Sequence, residues 1–335
     1  MDLGLSVAFA SFRGFFVLIT KPTTFVVGYY RALLRSFTHD ALGEFGADSR
    51  PLLRRNEDVL PVIQISRKMG AMAKPNSIEL PDCKPIRILY EDRTVIAVDK
   101  PPGWMLVPHT WQRTSRNLQA AITSSIAGGD FWARSRGLKF LRYVHRLDAD
   151  TSGVLLFAKS VGAVDSLGDM FESRRMEKMY LAVTAIEPRE NEWTCRLALM
   201  PDPLRVARMI VDEQNGKGSE THFRVLEKIP GLTLIECRPV TGRTRQIRVH
   251  LAESGCPIVS DDLYGRQTGQ LEFGLRAVRL AYTDPFTKRP VEINAPVKYF
   301  LKDYGFDFKK YLTANEPPQG DIEKKVDRLP KAEGQ

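Results

Sequence analysis

The chain has few of the residues that bind metals or form disulfides. Its 335 residues include four cysteines and five histidines. The cysteines stand far apart without a C-x-x-C pair, and no two histidines have the spacing of metal ligands. Motifs that bind nucleotides are missing as well. We therefore expect reduced structural thiols and neither a metal nor another cofactor, so the chemistry must come from ordinary side chains.

The sequence also lacks a hydrophobic run long enough to cross a membrane as a helix. Basic residues and Pro22 interrupt the apolar residues near the N-terminus, well short of the ~20 that a bilayer requires. Acids are scarce there, since Asp2 is the only one before Asp40. Such a start is typical of a transit peptide, but it equally fits an amphipathic interaction helix, or an upstream start codon with initiation near Met69 or Met72.

Composition and charge indicate a globular protein with a polyanionic partner. Hydrophobic residues make up 43% of the chain and charged residues 27%, which is enough for a sizeable core. The net charge of +9 favours nucleic acid. We predict an N-terminal extension and linker over residues 1–84, partly disordered, a catalytic domain over 85–302, and a C-terminal extension with a flexible tail over 303–335.

Short apolar runs separated by turn residues predict a sheet with few helices. The runs typical of strands are residues 86–90, 94–98, 154–158, 179–183, 221–226 and 232–237. One helix is predicted over 117–126, and a second follows the N-cap residue Ser160, where apolar residues recur at helical spacing as far as Phe171. Several strands in succession predict the α+β class.

One basic loop carries a carboxylate that is able to do chemistry. Asp148 follows His145 and Arg146 and precedes a run of small turn residues. Basic neighbours favour the charged form of a carboxylate, which can then act as a nucleophile or a base. The structural alternative is that Asp148 caps the turn or pairs with Arg146.

Six sequence blocks resemble a known enzyme family. They are ILYED and VDKPPG between residues 88 and 103, YVHRLDADTSGVLLFAK at 143–159, EKMY at 177–180, TGRTRQIRVHL at 241–251 and DDLYG at 261–265. Over about residues 85–298 the chain resembles the RluA-type RNA pseudouridine synthases. This implies a mixed, largely antiparallel central sheet with flanking helices and a central active-site cleft, without the S4 RNA-binding domain that many relatives carry.

The resemblance also implies roles for single residues. Asp148 matches the essential aspartate of the family, which attacks either the ribose or the uracil ring. Tyr180 matches the pocket tyrosine, for stacking and proton transfer, and Arg248 the basic residue that pairs with the aspartate. Arg146 is expected to fill the gap left by a flipped-out uridine. The other predicted RNA contacts are His145, Lys100, Arg243 and Gln246.

Each of these positions also has a structural interpretation. Tyr180 alternates with aliphatic residues along its strand and can be an ordinary half-buried tyrosine. Arg248 can belong to a solvated basic helix that begins at Thr244 and ends at Gly255. Arg146 can form a salt bridge with Asp148 or Asp150, and the predicted backbone contacts can be solvated surface charges.

We therefore predict an RNA pseudouridine synthase, a cofactor-free isomerase, acting as a cytoplasmic monomer on a tRNA or ribosomal RNA stem-loop. One alternative is a non-catalytic RNA-binding or chaperone protein on the same fold. Another is a protein of the membrane surface or of an organelle, governed by its N-terminus. The sequence departs from the usual family pattern at Pro108-His109, which replaces a His-Pro pair, and at Arg245, Ser260 and Arg276, which replace His, Gly and His.

Overall fold

The computed structural model describes residues 73–80, 83–106, 116–265 and 271–311, together with the backbone of two strands near the N-terminus. These strands, β1 (Val7–Phe12) and β2 (Phe15–Thr20), form an antiparallel hairpin. They belong to the first of two compact units, Met1–Met69, whereas all the motifs belong to the second, Gly70–Gln335. Most of the predicted N-terminal extension, the Pro108-His109 pair and the tail after residue 311 lie outside the described residues.

The apolar runs of the second unit form one large sheet. Its strands are β3 (Ser77–Ile78), β4 (Ile86–Glu91), β5 (Val95–Lys100), β6 (Arg142–Tyr143), β7 (Ser152–Ala158), β8 (Glu177–Thr184), β9 (Glu192–Pro201), β10 (Met209–Val211), β11 (Lys217–Ile229), β12 (Leu232–Pro239), β13 (Leu275–Thr283) and β14 (Pro290–Asn294). Their order is β10-β9-β11-β12-β8-β13-β7-β5-β4-β3, with β14 beside β13 and β6 beside β7.

The centre of the sheet is a parallel pair within an otherwise antiparallel arrangement of the described strands. β13 runs parallel to β7, with Arg276 opposite Ser152 and Ala277 opposite Gly153. Gly153 has a φ of 109°, and a Cβ at this position would lie 2.0 Å from the carbonyl oxygen of Ala277. Only glycine fits such a close approach of two backbones. The loop before β7, which contains Asp148, is thereby held at the middle of the sheet.

The helices cover both faces of the sheet. They are α1 (Leu118–Gly128), α2 (Phe131–Arg134), α3 (Val161–Glu172), α4 (Gln246–Glu253) and α5 (Lys298–Asp303), followed by a 3₁₀ turn, Phe308–Tyr311. Ser160 caps α3 by accepting a hydrogen bond from the Ala163 amide, and Asn117 caps α1 in the same way. The side chains of β7 alternate between a core with α1 and α2 on one face and a core with α3 on the other. Because both faces are covered, β7 is an almost continuous apolar run.

This architecture confirms the predicted α+β class. Buried residues also lie on both sides of the range 85–302 that was predicted for the catalytic domain. Ile78 of β3 is fully buried although it lies in the predicted linker. Tyr304 and Phe306 pack in the core beyond the predicted end at residue 302. Within the described residues, no helix combines the length and the hydrophobicity that crossing a membrane requires.

Candidate active site

A cleft of about 360 Å³ opens at the middle of the sheet, beside the loop that precedes β7. Its walls come from residues 144–148 of that loop, from Lys178 and Tyr180 of β8, and from residues 241–248, which form the turn after β12 and the start of α4. Each of these segments lies in a block recognised in the sequence. The fold therefore brings together Asp148, Tyr180 and Arg248, which are far apart along the chain.

Asp148 faces a guanidinium whose position is fixed from behind. Nη1 of Arg248 lies 3.6 Å from Oδ2 of Asp148. The same guanidinium donates through Nε and Nη2 to both carboxylate oxygens of Asp261, at 2.8 and 2.6 Å, and through Nη2 to Asp262 at 2.8 Å. Burial alone would lower the pKa of Arg248, but the hydrogen bonds and charge of Asp261 raise it above its usual range. Arg248 is thus a permanent cation beside Asp148.

The turn that leads into α4 is organised by a buried glutamine. Gln246 accepts hydrogen bonds from the Thr241 hydroxyl and the Arg243 amide, and it donates to Thr221 and to the carbonyl of Glu220. It is 3% exposed, so the structure places it inside the protein, which does not fit the predicted RNA contact.

The N-cap of α4 also differs from the prediction. It is Arg245 and not Thr244, and Arg245 has a left-handed φ of 54° and makes no side-chain capping bond. The helix ends at Glu253, and Gly255 follows in the left-handed conformation that the sequence suggested for its end.

Lys100 holds the loop that contains Asp148 by hydrogen bonds to its backbone. Its side chain is fully buried, and its ammonium donates to the carbonyls of Pro101, Ala149 and Thr151 at 3.0, 2.7 and 2.9 Å. Burial lowers the pKa of Lys100 to about 7, against the opposing effect of the nearby carboxylates Asp150 and Asp148. This environment does not fit the predicted contact with RNA phosphates. The side chain instead ties the end of β5 to the two residues that flank Asp150.

His145 forms part of the cleft wall as a neutral ring. Its Nε2 accepts a hydrogen bond from the Leu156 amide, and the ring stacks on Phe171 with centroids 4.6 Å apart. Burial, with a smaller contribution from Lys178, lowers the pKa of His145 to about 3. The ring is therefore uncharged at neutral pH and offers a surface for packing, not a cation for phosphate.

Two residues of β8 point into the cleft because side chains two positions apart share a face. Burial, assisted by the charge of Asp148, raises the pKa of Tyr180 above its usual range, so Tyr180 is a neutral phenol. Lys178 donates to the carbonyl of Thr241 at 2.9 Å, and burial lowers its pKa to about 8. Lys178 was not among the predicted site residues, although its position two residues before Tyr180 in the EKMY block would have indicated it.

Comparison with known proteins identifies the family. A family model described as RNA pseudouridylate synthase matches residues 94–253, which include all three central side chains of the cleft. The chain is 37% identical over 226 residues to the ribosomal large subunit pseudouridine synthase C of Salmonella typhimurium and covers 67% of it. It is 32% identical over 260 residues to the enzyme of the same name from Vibrio parahaemolyticus and covers 73% of that chain. This protein belongs to the RNA pseudouridylate synthase family.

Solved structures agree with the family assignment. Human RNA pseudouridylate synthase domain containing 1 is 28% identical, with a TM-score of 0.50, and the alignment covers 63% of this chain and 83% of that one. Human RNA pseudouridylate synthase domain containing 4, at 19% identity and a TM-score of 0.51, supports the fold alone. The predicted family, fold and enzyme class are confirmed. The match to a further relative, from Vibrio vulnificus, spans 63% of this chain and 65% of that relative.

The rim of this pseudouridylate synthase cleft is strongly basic. Two carboxylates, Asp148 and Glu172, line it against six cationic side chains, which are Arg146, Arg174, Lys178, Arg243, Arg245 and Arg248. Arg146 is exposed and makes no ion pair with the described part of the chain, so the predicted alternative of a salt bridge to Asp148 or Asp150 is not present there. Arg243 is exposed and donates to the carbonyl of Gly218 at 3.2 Å.

Arg276, which stands where the family usually has His, is explained by its hydrogen bonds beside the parallel strand pair. Arg276 is 8% exposed and donates to Asp99, to Ser152 and to the carbonyl of Pro296. It therefore joins β13 to β5 and to Ser152, the first residue of β7, which follows the loop that contains Asp148.

Proposed function

We propose that this chain isomerises uridine to pseudouridine in RNA and that Asp148 initiates the reaction. The observation that supports this most directly is the position of Asp148 in the cleft, 3.6 Å from a buried arginine and beside a neutral tyrosine. The Asp148 side chain is 17% exposed, so it is shielded by the protein and yet open to a ligand in the cleft.

The reaction needs no electron carrier. The bond from the ribose to N1 of uracil breaks, the ring turns within the pocket, and a bond forms from the same ribose carbon to C5. C5 loses a proton and N1 gains one, so the product has the same composition as the substrate. A carboxylate able to attack carbon or accept a proton, in a pocket that retains the detached base, is sufficient. We favour chemistry at the ribose, with attack on the uracil ring as the alternative.

The neighbours of Asp148 have separate roles in this proposal. Arg248 orients the carboxylate and keeps it next to a positive charge while bonds change. Tyr180 stacks on the uracil and, as a neutral phenol, donates a proton or a hydrogen bond. Asp261 does not reach the substrate and acts as a positioning residue, because it holds Arg248 by two hydrogen bonds.

The substrate we propose is a stem-loop of structured RNA. A uridine in a stem must leave the stack before it can react, and in this proposal Arg146, which is exposed at the rim, fills the gap. Arg243 is placed for a phosphate contact. The relatives named above act on the large ribosomal subunit by their names, which favours ribosomal RNA over tRNA. We further propose that the protein acts as a monomer in the cytoplasm.

The decisive experiment compares two aspartates of one loop. Pseudouridine is mapped across total RNA from cells that lack the protein and are complemented with wild type, Asp148→Asn or Asp150→Asn. Asp150 is exposed, carries the same charge and lies two residues away, so it is a matched control. We expect wild type and Asp150→Asn to restore the same sites and Asp148→Asn to restore none.

Purified proteins complete the test. Asp148→Asn should bind the RNA that contains the mapped site while losing at least about 100-fold in turnover, the usual minimum for removing a catalytic acid or base. Full turnover by Asp148→Asn would contradict the assignment of the catalytic residue. An unchanged pseudouridine map in cells without the protein would favour a non-catalytic RNA-binding protein.

A further inference from the structure

A second basic depression lies at the opposite end of the strands that carry the cleft. β5 and β7 are antiparallel neighbours, and Asp148 lies just before β7 begins. Arg93, in the turn before β5, and Lys159, directly after β7, mark the other end. At about 3.3 Å per residue, the length of β7 puts the two ends about 20 Å apart. We call this region the distal depression; it is lined by Lys74, Glu91, Asp92, Arg93, Arg136, Gly137, Leu138, Lys139, Phe140 and Lys159.

The two acids of the distal depression are already engaged. Glu91 accepts hydrogen bonds from Arg136 and from Lys159, both at 2.8 Å. Asp92 accepts from the amides of Thr94 and Val95, at 2.7 and 2.8 Å, and from the hydroxyl of Tyr90. The Arg136 side chain is only 3% exposed and also donates to the carbonyl of Pro75. These bonds give the depression a fixed floor in which the carboxylates are occupied.

The rim of the distal depression carries three further cations. Lys74, Arg93 and Lys139 are exposed, and none of them makes an ion pair with the part of the chain that the structure describes. In total, five cationic side chains face two carboxylates around this depression. Three exposed positive charges surround carboxylates that already have hydrogen-bond partners, and such a surface attracts a polyanion.

We propose that the distal depression binds backbone phosphates of the substrate RNA, about 20 Å from the uridine in the cleft. This inference rests on the proposed function, which supplies an RNA large enough to reach both sites. Half-buried Phe140 in the lining favours RNA over an acidic protein segment, because an unpaired base can stack on its ring. At about 3.4 Å per nucleotide of a stacked strand, the separation corresponds to about six nucleotides.

The test neutralises the rim and compares it with an equal charge change elsewhere. The rim variant is Lys74→Gln, Arg93→Gln, Lys139→Gln. The control variant is Arg189→Gln, Lys302→Gln, Lys309→Gln, which removes three exposed cations that line neither depression nor cleft. All six side chains are exposed, and thermal melts check that both proteins fold. Binding to a transcript of large-subunit ribosomal RNA is measured as a function of salt concentration.

Each lost phosphate contact reduces the slope of log K against log salt by about 0.7 to 0.9. We therefore expect the rim variant to lose about 2 from the slope and the control variant less than about 1. Equal slopes for the two variants would overturn the proposal. Because this measurement needs no turnover, it is read independently of whether the protein isomerises uridine.

A second measurement ties the site to RNA length. The kcat/KM of each protein is determined on a long transcript and on a stem-loop trimmed to about four nucleotides on either side of the target uridine. The ratio of long to short substrate should fall at least fivefold in the rim variant and stay within twofold of wild type in the control. A fall in kcat/KM of equal size on both RNAs would indicate that the rim charges act only through the overall electrostatic potential of the protein, and it would contradict a distal site. If wild type converts neither RNA, the proposed function fails while the salt slopes still decide the distal site.

Discussion

The side chains of the cleft differ in how firmly they are held. Arg248 is bound to two carboxylates and stacks over the rings of Tyr264 and Phe273. Asp148, in contrast, accepts no hydrogen bond from the described residues and has one ion-pair partner at 3.6 Å. A carboxylate whose lone pairs are not engaged in hydrogen bonds is free to react. This difference supports the proposal that Arg248 positions Asp148 and that Asp148 reacts with the substrate.

Replacing the hydroxyl of Tyr180 should separate stacking from proton transfer. We expect Tyr180→Phe to lower kcat at least tenfold and to leave KM within about threefold, because the ring remains and the donor is lost. Tyr180→Ala should also raise KM, since it removes the stacking surface. Steady-state and single-turnover kinetics measure both effects. Tyr143→Phe, a half-buried tyrosine outside the cleft, is the control, and a kcat for Tyr180→Phe equal to that of the control would exclude a role for the hydroxyl.

The two carboxylates behind Arg248 should differ sharply in their importance. Asp261 is fully buried, whereas the side chain of Asp262 is 65% exposed. Asp261→Asn leaves a buried guanidinium without its bidentate partner, which typically costs about 3–5 kcal/mol of stability. Asp262→Asn removes only the exposed carboxylate of the cluster and leaves the bidentate pair with Asp261 intact, so we expect a cost of at most about 1 kcal/mol. Urea denaturation of both variants measures the difference, and similar losses would contradict a positioning role specific to Asp261.

At the scale of elements, the sequence predicts the strands and helices whose own residues carry a clear apolar pattern or a capping residue. β7 and α3 are recognisable because one is a continuous apolar run and the other follows a capping serine. β13 was not predicted, since Arg276 and Arg279 interrupt its apolar pattern. In the folded protein Arg276 bonds to Asp99 and Arg279 to Glu292, both on other strands. Partners of this kind become visible only when the strands are assembled.

The same limit applies to the site. Asp148, Tyr180 and Arg248 were predicted from motifs, and the fold brings them together. Lys100 and Gln246 were predicted as RNA contacts from the resemblance, but both are buried in the structure. Their burial depends on backbone carbonyls 49 and 26 residues away in the chain. The local sequence shows that a polar residue is present, but it does not show whether that residue faces the interior or the solvent in the folded protein.

Lys100 should matter through the loop that it holds. Lys100→Met keeps the length of the side chain and removes hydrogen bonds to three carbonyls, of which those of Ala149 and Thr151 belong to the loop that contains Asp148. We expect a loss of about 1–3 kcal/mol in the free energy of unfolding, the cost of leaving buried polar groups without partners, together with a lower kcat. The exposed Lys302→Met should change stability by no more than about 0.5 kcal/mol. Unchanged kcat in a stably folded Lys100→Met protein would show that the loop does not need this support.

At the scale of the whole molecule, the site depends on the sheet being complete. Asp148 precedes β7, Tyr180 lies on β8 and Arg248 on α4, and β13 stands between β7 and β8. No single segment carries two of these three side chains. Substitutions or conditions that destabilise the centre of the sheet should therefore also disturb the arrangement of these three side chains. Activity should then depend on the stability of the whole unit.

Acid should destabilise the whole molecule because it favours protonation of His145. The neutral ring of His145 accepts a hydrogen bond from the Leu156 amide of β7. Its pKa is lowered to about 3 in the folded protein, whereas an unfolded histidine has a pKa of about 6.5. Between these values the unfolded chain binds a proton that the folded protein does not, so stability falls as the pH decreases from about 6.5 towards 3. The slope from this one group approaches about 1.4 kcal/mol per pH unit.

Urea denaturation at pH 6.5, 5.5 and 4.5 should therefore show a shallower pH dependence for His145→Asn than for wild type. His222→Asn, which removes a histidine on the surface of the sheet and keeps His145, is the control. Parallel slopes for His145→Asn and wild type would mean that His145 takes up a proton as readily in the folded protein as in the unfolded chain, which would contradict a lowered pKa for this ring.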